Sequence, residues 1–239
     1  YYILIYMEKI FSKKKFVKKI FNEVANKYDV MNDLMSFGLH HVWKKKFINE
    51  IKINKKNKIL DIGSGTGDIF NQILNENIVN QTNQIILSDP NINMIKAGKK
   101  KINKKINWIA TYAENLPFKN NEFDLITMSF SLRNVYDLKK SLKEIHRVLK
   151  NGGQFLCLEF GKINNPEINQ IYKIYTESFI PKLGKLIANN EEAYTYLIES
   201  IKKFPNQETL CKILKNNKFK NINYSNLSFG SVAIYSCFK

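Results

Sequence analysis

The sequence predicts an α/β fold, a mainly parallel sheet with helices wound over both faces. Three observations predict it. The first is a strand, a glycine turn and a helix start at Ile59-Leu60-Asp61-Ile62-Gly63-Ser64-Gly65-Thr66-Gly67-Asp68-Ile69-Phe70. The second is a βαβα alternation of apolar runs over residues 57–160. The third is size: 239 residues, 44% of them hydrophobic, suit one sizeable α/β domain with a small accessory lobe.

Taken in order, residues 14–28 read as a helix, with Phe21, Val24, Ala25 and Tyr28 near helical spacing. Residues 28–44 then crowd aromatics, Met31, Met35, Asp33 and His40 into a few turns. Such a block is either core or a lid over a flat apolar substrate. A helix through Phe47 to Ile51 follows. Strands are expected at 57–62, 85–89, 106–109, 123–128 and 154–160, with helices at 68–76, 91–101 and 138–150 between them. Asn151-Gly152-Gly153 reads as the stop of the last of these helices. Residues 165–203 break the rhythm with helical, aromatic-rich sequence and suit an inserted cover over the site. A helix at 207–217 and an edge hairpin of 221–227 with 231–238 around Gly230 close the chain.

The glycine turn narrows the chemistry. Gly63, Gly65 and Gly67 let a ligand approach the backbone closely. A P-loop needs Lys-Ser/Thr after its last glycine, and Asp68-Ile69 follows here. A dinucleotide fingerprint has a glycine where Asp68 stands, and a carboxylate at a helix start repels a pyrophosphate. Asp61 and Asp68 suit a ligand that lacks phosphate and carries positive charge, as the ammonium and sulfonium of S-adenosylmethionine do. Asp89, at the end of the second strand, is placed to hold ribose hydroxyls or to cap the next helix.

The net charge of +17 raises nucleic acid or an anionic membrane as partners. The excess is nearly all lysine and spread along the chain, with only Arg133 and Arg147 as arginines, so no nucleic-acid surface is expected. Cys157, Cys211 and Cys237 form no CxxC pair, and His40, His41 and His146 show no metal-ligand spacing, so neither a disulfide framework nor a metal is expected. No apolar run is long enough to span a membrane. The chain opens Tyr-Tyr, with Met7 a candidate start, and residues 1–19 read as a basic N-terminal extension.

These blocks together resemble the ubiquinone/menaquinone biosynthesis C-methyltransferases, a family of class I S-adenosylmethionine-dependent methyltransferases. The resemblance spans roughly residues 20–239. It rests on Tyr28-Asp29 with Met31-Asn32-Asp33, Gly38-Leu39-His40 with Trp43-Lys44, Gly65-Thr66-Gly67-Asp68, Glu114-Asn115-Leu116-Pro117-Phe118, Leu132-Arg133-Asn134, Leu158-Glu159-Phe160 and Phe204-Pro205-Asn206-Gln207-Glu208. His41 stands where the family usually has Arg, Ser131 where Gly is usual, and Asn151 where Pro is usual. The resemblance implies a Rossmann-like fold, a seven-stranded mainly parallel sheet with an antiparallel edge hairpin. It implies one domain over 20–239, with 20–52 a helical lid and 165–203 a helical insertion over the site. S-adenosylmethionine is the implied cofactor. Thr66, Asp89, Tyr112, Ala113 and Ser129 are its matched contacts, with Asp61, Gly63, Gly65 and Gly67 at its methionine end.

The implied reaction is C-methylation of a polyprenyl methoxy-benzoquinol ring, with demethylmenaquinol as the alternative substrate. The ring carbon becomes nucleophilic when a neighbouring hydroxyl loses its proton, so a base or a stabilising cation is needed. Arg133 is the first candidate, through a water or by stabilising the phenolate. Tyr28, Asp33 and His40 are candidates for ring contact and proton relay. The resemblance also implies a peripheral place on a membrane; the basic N-terminus and low arginine content point to the matrix face of the mitochondrial inner membrane, with a bacterial cytoplasmic face as the alternative. A quinone-synthesis complex and a homodimer are the implied protein partners. Two rival readings are an RNA methyltransferase, from the charge, and a non-catalytic scaffold.

Overall fold

The structure is a computed structural model. It describes residues 36–52, 57–78, 83–102, 106–175 and 191–239, together with Phe16, Val17, Lys19, Ile20, Asn22, Asn32, Asp33 and Lys104. Tyr28 and most of the helix expected at 14–28 lie outside the described residues.

A seven-stranded sheet organises the molecule, in the order β3-β2-β1-β4-β5-β7-β6. The strands are β1 (Lys58–Ile62), β2 (Gln84–Ser88), β3 (Asn107–Ile109), β4 (Phe123–Ser129), β5 (Leu149–Phe160), β6 (Lys220–Leu227) and β7 (Val232–Phe238). The first five pair in parallel. β7 runs antiparallel between β5 and β6. The hairpin therefore places its second strand inside the sheet and leaves β6 at the edge. Composition explains the choice: β7 is buried along most of its length, whereas β6 alternates exposed Asn and Ser with partly buried residues.

The helices are α1 (Leu39–Asn49), α2 (Asp68–Asn75), α3 (Ile92–Lys101), α4 (Leu138–Val148), α5 (Pro166–Ile174), α6 (Glu191–Lys203) and α7 (Gln207–Asn216). Asn91, Asp137, Asn165 and Asn206 start α3, α4, α5 and α7, each side chain accepting a backbone N–H of the first turn. Alternate residues of each central strand pack on opposite faces. Leu60, Ile126 and Phe155 join α4 and α7 on one side, while Ile59, Leu125 and Leu156 join α1 and α2 on the other.

One boundary differs from expectation. α4 ends at Val148, and Leu149 is already extended, so Asn151-Gly152-Gly153 lies inside β5. The register jumps there: Phe123 faces Leu149, but Leu125 faces Gln154. The glycines absorb extra residues in a bulge, with Gly152 at φ 75°, so a helix-stop signature serves a strand.

α1 is tied to the sheet by side chains. Phe47 and Ile48 are fully buried, Trp43 Nε1 donates to Ser228 Oγ at 2.9 Å, and Lys44 Nζ meets Asp68 Oδ2 at 3.0 Å.

Candidate active site

The C-terminal ends of β1, β2, β4 and β5 open into two adjoining cavities of about 610 and 110 Å³. Gly63, Gly65, Ser129 and Phe130 line both. This is the point where the chain turns from building the sheet on one side of β1 to building it on the other, and open α/β sheets bind ligands there.

The turn after β1 is left-handed at all three glycines, with φ of 64°, 56° and 84° at Gly63, Gly65 and Gly67. A Cβ on Gly63 would come 2.5 Å from Ser131 Cβ, and one on Gly67 would come 2.4 Å from Ile102 Cδ1. Ser131 thus packs against Gly63, and its hydroxyl donates to Ile62 O at 3.2 Å.

Three acids meet at this turn, and each has a different fate. Asp61 is buried. Its Oδ1 accepts from Thr127 Oγ1 at 2.7 Å, and its Oδ2 has no partner among the described residues. Burial, with Asp89 and Asp68 nearby, raises its carboxyl to about 7. Asp89 accepts from Gly65 N at 2.9 Å and Asn91 N at 2.7 Å, and burial raises it to about 6. Asp68 meets Lys44 at 3.0 Å and Lys101 at 2.6 Å. Burial works to raise Asp68, but the two lysines hold it down at about 2. The expectation that Asp68 faces a cationic ligand is corrected: its charge is spent on two lysines. Of these three, Asp61 alone keeps a carboxylate oxygen unpaired among the described residues.

The smaller cavity brings Asp89, Tyr112 and Ala113 together with Met94, and Tyr112 meets Tyr136 edge-on at 5.3 Å. Thr66 Oγ1 and Ser129 Oγ are buried and unpartnered among the described residues.

The larger cavity has Asp61 and the glycines at one end and Trp43, Phe130, Phe160, Ile163, Ile168 and Tyr172 along its walls. His40 is buried on this wall, and its Nε2 sits 2.8 Å from Asp33 Oδ1. A carboxylate only accepts, so Nε2 carries the hydrogen and Nδ1 the lone pair. Nδ1 is buried and unpartnered among the described residues. Burial, then the Lys44 charge, lowers the imidazole below its ordinary range, so it is neutral at neutral pH. His41 reaches the same Asp33 oxygen at 2.8 Å. Asp33, His40 and His41 thus form a compact cluster that the sequence spacing did not suggest.

Arg133 also lines the cavity. Its Nη1 is 2.9 Å from Glu159 Oε1 and also donates to Phe130 O. Its backbone N–H donates to Glu159 Oε2 at 3.1 Å, and its Nε is unpartnered among the described residues. Glu159, quoted above only within Leu158-Glu159-Phe160, holds Arg133 in place, a role that sequence reasoning did not assign to it. The available signal was an acid at the C-terminal end of an otherwise apolar strand.

Residues 8–239 match the ubiE/COQ5 methyltransferase family. The chain belongs to the ubiE/COQ5 methyltransferase family. The matched range begins inside the segment read from sequence as an extension. A ubiquinone/menaquinone biosynthesis C-methyltransferase of Rickettsia bellii is 45% identical over 233 residues, covering 95% of this chain and 94% of that protein. One from Pseudoalteromonas translucida is 42% identical over 232 residues, covering 95% and 92%. Among solved structures, a SAM-dependent methyltransferase from Thermotoga maritima superposes with a TM-score of 0.64 at 19% identity, over 92% of this chain and 98% of that one. A Haemonchus contortus phosphoethanolamine N-methyltransferase in complex with S-adenosylhomocysteine superposes at 0.58 and 16% identity, over 79% and 50%.

The chain is thus a methyltransferase with a Rossmann-like fold, and its cofactor is S-adenosylmethionine. The residues fit that group. Asp61 Oδ2 is an unpaired buried acceptor beside the glycine turn, suited to an ammonium. Asp89 keeps acceptor capacity beyond its two backbone donors, suited to ribose hydroxyls. Tyr112, Ala113 and Met94 line a slot suited to a flat base. No helix among the described residues is long and apolar enough to cross a membrane.

Proposed function

We propose that this chain methylates a ring carbon of a polyprenyl quinol. The substrate in this reading is a polyprenyl methoxy-benzoquinol of ubiquinone biosynthesis, with demethylmenaquinol as the alternative. One observation supports it above the rest: a single cavity joins the Asp61 end of the cofactor site, a neutral histidine with a buried lone pair, and aromatic walls. The names of the bacterial relatives point the same way.

When bound, S-adenosylmethionine supplies an activated methyl group. The chain's own work is to hold a flat ring in line with it and to take a hydroxyl proton. Trp43, Phe130 and Phe160 give the ring an apolar seat. Phe130 is held against Phe160 at 4.9 Å and near Trp43 at 6.2 Å. Asp33 fixes the His40 tautomer, and His40 Nδ1 takes the proton from the ring hydroxyl. Arg133 stabilises the phenolate by an N–H donated from Nε, which its pair with Glu159 leaves unpartnered among the described residues. A guanidinium offers no acceptor and this one is locked to Glu159, so the proton goes to His40 rather than to Arg133. Within the ranges 20–52 and 165–203, α1, α5 and α6 act as the lid and cover that exclude water.

We place the protein at a bacterial-type cytoplasmic face, peripheral to a membrane, since the relatives named above are bacterial; the mitochondrial face expected from the sequence has no such support. A homodimer partner would pair along the edge strand β6, and association with a quinone-synthesis assembly belongs to the same proposal. The test is transfer of labelled methyl from the cofactor to a short-chain demethyl quinol under reducing conditions. Label on a ring carbon is expected, and an unlabelled ring with cofactor bound would overturn the assignment.

A further inference from the structure

The mouth of the larger cavity carries apolar side chains that nothing in the fold requires. Phe37 is 69% exposed, Ile171 69% and Phe229 76%, and Leu39 is 44% exposed. All four belong to the cavity's lining, although they come from three separated parts of the chain: the entry to α1, α5 and the β6–β7 turn. Val42 and Ile174, on the same helices, are 50% and 60% exposed. Six of the eight strongly exposed large hydrophobics among the described residues thus belong to these three segments. Scattered exposed apolar residues need no explanation, but a ring of them around one opening does.

A second observation is independent of exposure. Phe37 has φ 50° and Phe229 has φ 58°. Left-handed backbone disfavours a bulky side chain, and Gly or Asn would form either turn more easily. Neither phenylalanine is repaid by burial. The fold holds two exposed aromatic rings on tight turns, both in the lining of one cavity. Phe37 meets the Tyr175 ring in a tilted contact, at 5.4 Å between centroids.

Charge selects what these rings enter. Exposed Lys173 and Lys202 also line the cavity, and Lys46 follows Leu39 and Val42 on the same stripe of α1. The two acids of the lining, Asp61 and Asp68, lie at the glycine-turn end, one buried and the other paired with lysines. The chain as a whole carries +17. Aromatic and aliphatic tips with lysines beside them match an anionic bilayer, where the tips reach the acyl boundary and the lysines stay among phosphates.

We propose that this rim is a membrane-docking face that seats the cavity mouth on an anionic lipid bilayer, with Phe37 and Phe229 as its inserted anchors. Its purpose rests on the quinol substrate proposed above: a prenylated ring then passes from bilayer to cavity without crossing water.

Vesicle flotation tests this. The wild-type protein is expected to float with phosphatidylglycerol-containing vesicles and much less with pure phosphatidylcholine. The double variant Phe37→Ser/Phe229→Ser is expected to lose about tenfold or more in vesicle affinity while binding cofactor normally by calorimetry. Because that variant could misfold, Phe229→Trp provides a second arm, with its emission shifting to the blue when anionic vesicles are added. Failure of the wild type to float, equal flotation of the double variant, or unshifted tryptophan emission would each overturn the docking face. So would rim-dependent self-association in sedimentation without flotation, which would make a second copy the occupant. Wild-type protein that floats but leaves a short-chain quinol unmethylated would sink the substrate assignment instead and leave the docking face standing.

Discussion

The two ends of the active-site space are built in opposite ways. At the cofactor end, backbone does most of the work. Three left-handed glycines follow β1, and buried acids at strand ends are oriented by hydrogen bonds from Thr127, Gly65 and Asn91. At the mouth, side chains do the work. They hang from α1, α5, α6 and the β6–β7 turn, and several stay exposed. The cofactor end tolerates little change in shape, since Cβ atoms on Gly63 or Gly67 would collide with neighbours. The mouth has room and chemical latitude. In the function proposed above, the methyl donor takes the rigid half and the substrate takes the half that can vary.

Arg133 lies on the border between them, and its replacement gives the largest expected effect. Arg133→Gln leaves Glu159 fully buried without its cation. A loss of about 3–5 kcal/mol is expected, read as a fall of roughly 10 °C in melting temperature. If stability hardly moved and only turnover fell, Arg133 would belong to the substrate half.

His40→Gln sharpens the division further. Turnover should fall by about 10²–10⁴, the usual contribution of a general base. Cofactor affinity should not change, because His40 belongs to the substrate half. A joint fall in both, by kinetics and calorimetry, would break the separation.

Asp61→Asn addresses the cofactor end in the same way. Loss of the charge that faces the ammonium should weaken cofactor binding about 100-fold, with folding retained because Asn can still accept from Thr127. Acid should mimic the variant more mildly. With the free Asp61 carboxyl at about 7, protonation below that pH removes the charge, and binding should favour its release. Cofactor affinity should therefore drop about tenfold between about pH 8 and pH 6, with proton release measurable in buffers of different ionisation enthalpy. A flat profile would mean that Asp61 does not face the cofactor's charge.

The cofactor end was legible in the sequence to an unusual degree because its parts are contiguous. Gly63, Gly65 and Gly67 follow one strand, and Asp89 ends the next. Strand-end position predicts where such residues point, whatever the rest of the chain does. The mouth was much less legible. Phe37, Ile171 and Phe229 are far apart in sequence and look like ordinary core residues there. Asp68 misled for a related reason: Lys44 and Lys101, which neutralise it, come from different helices. The Gly152-Gly153 pair misled because a bulge and a helix stop draw on the same residues.

What the sequence alone determined was the alternation of strands and helices, the glycine turn with its flanking acids, and through them the fold and cofactor class. Those properties come from local periodicity and from backbone freedom at single residues, which need no partner. The tertiary structure decided which charges are spent and which are free. It paired Glu159 with Arg133 and Asp68 with two lysines, left one oxygen of Asp61 and one nitrogen of His40 unpartnered among the described residues, and gathered three distant apolar segments around one opening. The physical reason is that a charge is available for chemistry only if nothing nearby already satisfies it, and what lies nearby is fixed by the packing of the whole chain.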